Sequence, residues 1–273
     1  ISSDFGIGGD LNIGSAGNGA GTLTMTNTAH FLQVGGDVNI GDGTTAGTLN
    51  LSGVAGGDIR LRGDWNNNQN GSFNPNGRAV FFNGSTDQSI NKFGASTIEV
   101  FDFLIIDNSG GDVIIGSNTT EIDVRGSSGV NGFELNNGDL DLNGKIFNLG
   151  RNGDSSGMTV RNGNREIFSL TPGAIFNVDG NSTQSINSFA LGTLEFDDQT
   201  TVTISSGVDF GPSVTTINAT LEILGGGFAN GNAPIYGPEG VLVYNTGGNY
   251  LRRVEWDGVE GGPGYPNDVI IRE

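Results

Sequence analysis

The sequence predicts an all-β chain folded as a right-handed parallel β-helix of about ten to thirteen coils, with little or no α-helix. Three observations predict this fold. Short segments repeat along the chain, apolar and polar residues alternate within each segment, and Gly, Asn, Asp and Ser separate the segments. Alternation with period two is the pattern of a strand with one buried face.

The repeats indicate the size of one coil. Gly8–Gly14 recurs as Gly35–Gly41 and, more loosely, as Gly56–Gly63, at spacings of 27 and 21 residues. A longer echo relates Asn83–Asn91 to Asp179–Asn187. A coil of this size cannot bury its own apolar face, but a stack of coils can. A sandwich of hairpins is the alternative, since Asn-Gly pairs also mark hairpin turns, but hairpins would not repeat their sequence in every coil.

Pairs of apolar residues two positions apart mark the strands. Between the strands, Gly, Asn, Asp and Ser accept the positive φ that tight corners require. The clearest pairs are Leu11 and Ile13, Leu23 and Met25, Leu49 and Leu51, Ile59 and Leu61, Leu140 and Leu142, and Leu221 and Ile223.

Two segments depart from this pattern within what we expect to be one continuous β-helix over residues 1–273. Phe101–Ile106 is almost continuously apolar, which predicts a strand covered on both faces. Residues 225–273 gain Pro, Tyr and Trp, which predicts variant terminal coils. Because Ile1 already lies inside the repeat pattern, we expect the chain to be a fragment of a longer protein.

Composition narrows the classes of function. The chain has 30 Asp and Glu against 12 Lys and Arg, a net charge of −18 and no Cys. Such an acidic chain is unsuited to nucleic acid or anionic lipid, which require basic residues. We therefore expect no nucleic-acid partner and no membrane insertion. The absence of Cys excludes disulfides and thiolate metal sites.

The residues also carry a resemblance to known families. Residues 6–63 resemble the passenger repeats of bacterial autotransporter adhesins, with their Gly-Gly-Asp cadence. Residues 63–273 resemble surface proteins of Bacteroidetes that leave by the type IX secretion system, including gliding adhesins. The segments that carry this second resemblance are Gly63–Trp65, Gly71–Phe73, Val80–Gly84, Gln88–Ile90, Phe103–Ile106, Tyr250–Trp256 and Gly262–Asn267. The resemblance implies export to the bacterial cell surface and supplies no catalytic residues.

Candidate catalytic groups are few, and we expect no enzyme. His30 is the only His and lies on the polar phase of a strand, which favours a bystander role. Paired carboxylates are the alternative, because glycoside hydrolysis needs two of them. The candidate pairs are Asp139 with Asp141, Glu121 with Asp123, Asp102 with Asp107, and Asp197 with Asp198.

Oxygen-rich turns suit a hard cation such as calcium. Asp64, Asn66, Asn67 and Asn68 form the densest group, although Asn in such corners also serves as a turn former or as part of a side-chain ladder. No organic cofactor is expected, and a structural calcium ion is left without an assigned position.

Aromatic residues near arginine supply the candidate ligand-binding set: Trp65, Tyr250, Arg252, Glu255, Trp256 and Tyr265. Flat aromatic faces and planar hydrogen-bonding groups suit a carbohydrate or protein contact. The alternative is that Trp256 covers the open end of the core.

Together these features predict an extracellular bacterial surface protein that acts as a rigid adhesin-like stalk or binding module. Its expected partner is a surface polysaccharide or another cell-surface molecule. Two alternatives remain: a polysaccharide-active enzyme that uses paired carboxylates, and a filament subunit that self-associates end to end through unpaired strand edges.

Overall fold

A computed structural model describes residues 4–26, 29–151, 157–187, 191–197 and 199–272. These residues form 31 β-strands, one short 3₁₀ turn, η1 (Val254–Trp256), and no α-helix. The strands occupy three faces.
Face 1 contains β1 (Phe5–Ile7), β4 (Leu32–Val34), β7 (Ile59–Leu61), β10 (Ala79–Phe82), β13 (Phe103–Asp107), β16 (Phe133–Asn137), β19 (Met158–Val160), β22 (Gln184–Ser185), β25 (Gly207–Asp209) and β28 (Phe228–Ala229).
Face 2 contains β2 (Leu11–Ile13), β5 (Val38–Ile40), β8 (Trp65–Asn67), β11 (Gln88–Lys92), β14 (Val113–Ile115), β17 (Leu140–Asp141), β20 (Gly163–Phe168), β23 (Gly192–Phe196), β26 (Thr215–Ile217) and β29 (Ile235–Tyr236).
Face 3 contains β3 (Gly21–Thr24), β6 (Gly47–Asn50), β9 (Gly71–Asn74), β12 (Ile98–Phe101), β15 (Glu121–Val124), β18 (Ile146–Leu149), β21 (Ala174–Val178), β24 (Thr200–Ile204), β27 (Thr220–Leu224), β30 (Val241–Asn245) and β31 (Asp268–Ile271).

Strands pair in parallel with the strand three places along the chain, so each regular coil contributes one strand to each face. The exceptions are β31, which pairs with β30, and one interruption each in faces 1 and 3. Face 2 is one sheet of ten strands from β2 to β29. Face 1 is interrupted between β19 and β22, where a single parallel bridge between Gly157 and Ser185 is the connection. Face 3 is interrupted between β9 and β12. The chain is a β-solenoid of about ten turns, which confirms the predicted parallel β-helix.

The alternating apolar residues point into one continuous core. Ile13, Leu49, Leu61, Leu140 and Ile223 are all buried, as period two requires. Aromatic rings also stack from coil to coil inside the core, where Phe147 and Phe176 lie parallel with centroids 5.1 Å apart. Side chains stacked from coil to coil therefore fill the interior of the solenoid along its length.

Corners depend on residues that tolerate unusual backbone conformations. Gly14 has φ +71°, and a Cβ there would lie 2.0 Å from the carbonyl oxygen of Ala46 in the coil above. The Gln that both copies of the longer echo contain, Gln88 in one and Gln184 in the other, stabilises a second kind of corner. Gln88 Nε2 donates to Leu61 O, and Gln184 Nε2 donates to Leu149 O, each at 3.2 Å. Because Gln88 lies on face 2 and Gln184 on face 1, the echo marks a type of corner and not a fixed position in the coil.

The predicted alignment of the looser third copy of the Gly-Gly-Asp repeat, Gly56–Gly63, was wrong. Ile59, which follows Asp58, pairs with Leu32 on face 1. The third copy of the face 2 segment is Gly63–Asn67, because Trp65 pairs with Val38. The error arises because apolar-polar-apolar triplets occur on all three faces.

The apolar run Phe101–Ile106 spans two strands and the corner between them. Phe101 ends β12, Asp102 lies at the corner, and Phe103 begins β13. Leu104 and Ile106 face the core, while Ile105 on the outer side is only 7% exposed. The predicted single strand was therefore wrong, but the predicted cover on both faces is present at Ile105.

Within the described residues, no helix has the length and apolar character needed to cross a membrane.

Candidate functional site

The last turn of the chain differs from the coils beneath it. Where face 1 would continue, the chain forms η1, which packs on β28. On face 2, Gly264 N donates to Pro234 O at 2.8 Å, and on face 3, β31 pairs with β30. η1 and the segment around Gly264 therefore take the places of two regular strands, and Val254, Trp256 and Val269 still pack against the core.

Glu255 organises this turn from the inside. Its side chain is fully buried and accepts hydrogen bonds from Tyr244 Oη at 3.1 Å, Tyr250 Oη at 3.1 Å and Arg253 N at 2.8 Å. Ala229 N donates to the other carboxylate oxygen at 3.3 Å. All four partners are donors, as a buried carboxylate requires.

Tyr244 and Tyr250, which are hydrogen-bonded to Glu255, pack together with Trp256 and form an aromatic wall. Their ring centroids lie 4.9 Å apart, and Trp256 lies 6.1 Å from Tyr244. Burial raises the pKa of both tyrosine hydroxyls well above the ordinary value, and the negative charge of Glu255 raises it further. Both hydroxyls thus stay protonated and keep donating to Glu255 at physiological pH.

A cavity of about 410 Å³ opens beside this wall. We call it the C-terminal aromatic pocket. Its lining residues are Tyr244, Thr246, Gly248, Asn249, Tyr250, Leu251, Arg252, Trp256, Ile271 and Arg272. Its volume lies within the range of small-molecule sites, which are mostly apolar with a few polar groups.

Two guanidinium groups border the pocket. Arg252 Nη1 donates to Trp256 O at 3.0 Å, and its guanidinium lies 5.7 Å from the Trp256 ring centroid. Arg272 Nη1 donates to Glu222 Oε1 at 2.9 Å. These contacts orient both groups at the edge of an aromatic surface.

The chain matches no protein-family model, no curated protein and no solved structure. The geometry of the chain itself therefore carries the functional argument.

The structure brings together only part of the predicted ligand-binding set. Tyr250, Arg252 and Trp256 line the pocket, and Glu255 lies beneath it. Tyr265 is 40% exposed but is not among the lining residues. Trp65 was assigned wrongly, because it is fully buried in coil 3, the coil of β7, β8 and β9, and its ring centroid lies 4.7 Å from that of Phe73.

Sequence reasoning missed Tyr244 and Arg272. Arg272 reaches the pocket because β31 stacks on β30, so that Arg272 N donates to Tyr244 O at 2.8 Å. The alternation in β30 could have indicated that Tyr244 faces inward. No local pattern indicates where Arg272 lies.

The predicted carboxylate pairs are mostly engaged within the fold. Glu121 and Asp123 do share one side of their strand, because Asn148 Nδ2 donates to both. Arg151 forms ion pairs with both as well.

The members of the other pairs contact different partners or lie partly outside the described residues. Asp102 contacts Arg125, whereas Asp107 accepts from Asn137, so this pair is not brought together. Asp139 accepts from Glu166 N at 2.8 Å, and Asp141 from Asn143 N at 2.7 Å.
Of the remaining pair, Asp198 lies outside the described residues.

An acidic group that sequence reasoning missed lies on face 2. Glu166 pairs directly with Glu195 of the next coil, and its carboxyl is hydrogen-bonded to that of Asp197. The pKa of Glu166 is raised to about 7, chiefly by desolvation, then by the hydrogen bond and charge of Asp197, and then by the charges of Asp139 and Glu195. Each glutamate lies on the polar phase of its strand, but nothing in the sequence shows that Glu166 pairs with Glu195 across neighbouring coils.

The predicted calcium group is engaged in ladders. Asn66 Nδ2 donates to Asn39 Oδ1 at 2.9 Å, and Asn91 continues the same ladder. Asn68 donates to Gly41 O, and Asp64 accepts from Ser89 N. Within the described part of the chain, no three His, Asp or Glu side chains are placed to hold a metal ion, and structural calcium stays a prediction.

His30 lies 3.3 Å from Asp4 in the first coil, and both side chains are about half exposed. This pair lies at the opposite end of the solenoid from the C-terminal aromatic pocket.

Proposed function

We propose that this chain is a rigid module of an extracellular bacterial surface protein, which acts as an adhesin-like stalk and presents the C-terminal aromatic pocket to a surface polysaccharide. One observation carries the proposal. Ten strands of face 2 stack without a break, and the pocket lies in the turn that follows them. At about 4.8 Å per coil, this stack holds the pocket roughly 50 Å from the first coil.

Side-chain ladders support the rigidity of such a stalk. The Asn ladder runs from Asn12 through Asn39 and Asn66 to Asn91, with hydrogen bonds of 2.9 to 3.0 Å. A column of aspartates links the coils in a similar way. The Asp10 carboxylate accepts from Asp37 N in the next coil, and the Asp37 carboxylate accepts from Asp64 N in the coil after that. Each coil is thereby tied to its neighbour by side chains as well as backbone.

The bacterial origin, the type IX export route and the surface location belong to the same proposal. They rest on the resemblance of Gly63–Trp65, Tyr250–Trp256 and Gly262–Asn267 to surface proteins of Bacteroidetes.

We expect the purified chain to be retained on at least one insoluble polysaccharide without releasing new sugar ends. Retention should fall at least tenfold in Trp256→Ala, because the aromatic wall supplies the contact area. Co-sedimentation across a polysaccharide panel, with calcium or EDTA, measures it. Phe5→Ala is the matched control, because Phe5 is an exposed aromatic at the opposite end.

Small-angle scattering on the same sample should give the profile of an elongated particle. A compact, spherical profile would contradict the stalk. Equal retention of Trp256→Ala and the unmodified chain would contradict the role of the pocket.

The acidic group on face 2 favours a second candidate function, hydrolysis of a polysaccharide. Glu166, with its pKa raised to about 7, has the property of a general acid beside further carboxyl groups. If new sugar ends are released in the panel, Glu166→Gln should reduce that release at least a hundredfold. Glu239→Gln, an exposed glutamate on another corner, should leave release unchanged. Undiminished release by Glu166→Gln would rule out this site.

A further inference from the structure

We infer that the C-terminal aromatic pocket binds a carbohydrate that carries a carboxylate, such as a uronic acid, with the sugar ring on the aromatic wall and the carboxylate between Arg252 and Arg272. This inference rests on the proposed function, because it names the ligand class for the same pocket. Three features of the pocket carry it: its charge, its donors and its apolar surface.

The side chains that line the pocket include positive charge and no negative charge, in contrast to the chain as a whole. The whole chain has a net charge of −18 and only 12 Lys and Arg. Two of those twelve line this one pocket, and none of its described lining residues is acidic. Because Glu222 pairs with Arg272 and Glu255 lies beneath the pocket, direct hydrogen bonds from the two guanidinium groups, and not a net positive charge, must hold the carboxylate.

The two guanidinium groups are oriented by contacts that leave donors for a ligand. A guanidinium has five N–H donors, and the contacts to Trp256 O and Glu222 each involve Nη1. The additional Arg252–Asp257 pair is long, at 3.9 Å, and both side chains are more than half exposed. Such a surface pair contributes little and would yield to a bound carboxylate. The planar donor fork of Arg matches a carboxylate in bidentate geometry.

The rest of the pocket fits a sugar ring. Tyr250 and Trp256 are half-buried, so one side of each ring is fixed and part of its surface reaches the cavity. The apolar C–H face of a sugar packs on such rings, as apolar groups generally do. Asn249 adds side-chain donors and an acceptor for hydroxyl groups, and Thr246 Oγ1, which donates to Gly248 O, adds an acceptor. A free inorganic anion would leave this aromatic surface unused.

The experiment compares two ligands of the same sugar backbone, one with free carboxylates and one in which each carboxylate is a neutral methyl ester. Oligogalacturonate and its fully methyl-esterified form, of equal length, are titrated into the full chain by calorimetry. We expect the esterified form to bind at least tenfold more weakly. The double variant Arg252→Gln, Arg272→Gln should lose the same factor for the acid form and show no preference between the two ligands. Arg62→Gln, an exposed arginine in coil 3, should bind as the unmodified chain does.

Each outcome separates the ligand class from the proposed function. Equal binding of both ligands, abolished by Trp256→Ala, would overturn the carboxylate and leave a carbohydrate pocket. Undiminished acid binding by the double arginine variant would overturn the assignment to Arg252 and Arg272. Binding of neither ligand would overturn the inference, and the polysaccharide panel then decides the proposed function separately. Circular dichroism establishes that each variant is folded, and Trp256 emission does so for the variants that keep Trp256. If the chain forms a dimer that no longer binds ligand, a second copy occupies the pocket instead.

Discussion

Replacing Glu255 by alanine is expected to unfold the terminal turn at conditions under which the coils beneath it remain folded. The change removes the acceptor of Tyr244 Oη and Ala229 N, whose hydrogen bonds are buried, and of Tyr250 Oη and Arg253 N, whose hydrogen bonds are partly buried. Each buried donor left without a partner costs about 1–3 kcal/mol. Allowing for relaxation at a chain end, we expect a local loss of about 3–5 kcal/mol.

The two tryptophans permit a site-resolved measurement. Trp65 is buried in coil 3, while Trp256 lies next to Glu255 in the last turn. In a Trp65→Phe background, the urea midpoint followed by Trp256 emission should fall sharply in Glu255→Ala. In a Trp256→Phe background, the midpoint followed by Trp65 should hardly change, because solenoid coils interact mainly with their neighbours.

A graded series tests the reason for this loss. Glu255→Gln keeps one oxygen for the two tyrosines but places an amide against Ala229 N, so its midpoint should lie between those of the unmodified chain and Glu255→Ala. Glu260→Ala, an exposed acid in the same turn, should have no effect. If Glu255→Ala unfolds with the unmodified midpoint, the hydrogen bonds of Glu255 do not hold the turn.

The fold could be predicted because period two and the corner residues are local properties. Leu11 and Ile13 point inward for the same reason as Val38 and Ile40, and the spacing of 27 residues aligns them. The third copy failed because Asp58 and Asp64 both precede inward triplets. Only pairing across coils distinguishes them, as in the hydrogen bond from Asp64 N to Asp37.

The site could be predicted only where it is contiguous in sequence. Tyr250, Arg252 and Trp256 lie within seven residues, whereas Arg272 reaches the pocket through strand stacking. The error at Trp65 had an available signal. The 27-residue spacing places Trp65 at the inward position of Val38, so its burial followed from the repeat once the third copy was correctly aligned.

Glu99 is an acidic residue at an inward position of its strand, where the alternation predicts an apolar residue. It lies in β12, at the interruption of face 3, and is 3% exposed. Asn67 Nδ2 donates to both of its oxygens, at 3.2 and 2.9 Å, and Trp65 lies beside it. Burial raises the pKa of Glu99 from 4.5 to about 7, although the charge of Lys92 and the Asn67 hydrogen bonds act in the opposite direction.

This raised pKa makes the folded state less stable as the pH rises. Between pH 4.5 and 7 the folded chain keeps a proton on Glu99 that the unfolded chain releases, so the free energy of unfolding falls across that window. The loss is complete above pH 7 and amounts to about 3 kcal/mol. Glu99→Gln cannot ionise, so it should match the unmodified chain near pH 4.5 and exceed its stability by about 3 kcal/mol at pH 8.

Glutamine also suits the site chemically, because Asn67 Oδ1 is buried and lacks a hydrogen-bond partner in the structure. The amide introduced by Glu99→Gln could donate to this oxygen while its own oxygen still accepts from Asn67 Nδ2. Urea unfolding from pH 4.5 to 8, followed by Trp65 emission in a Trp256→Phe background, measures the effect near the site. Subtracting the profile of the unmodified chain removes the contribution of the other acids, provided that they titrate independently of Glu99. Glu239→Gln, at an exposed glutamate, should reproduce the unmodified profile. If Glu99→Gln shows the same fall between pH 4.5 and 7, the buried carboxyl is not its source.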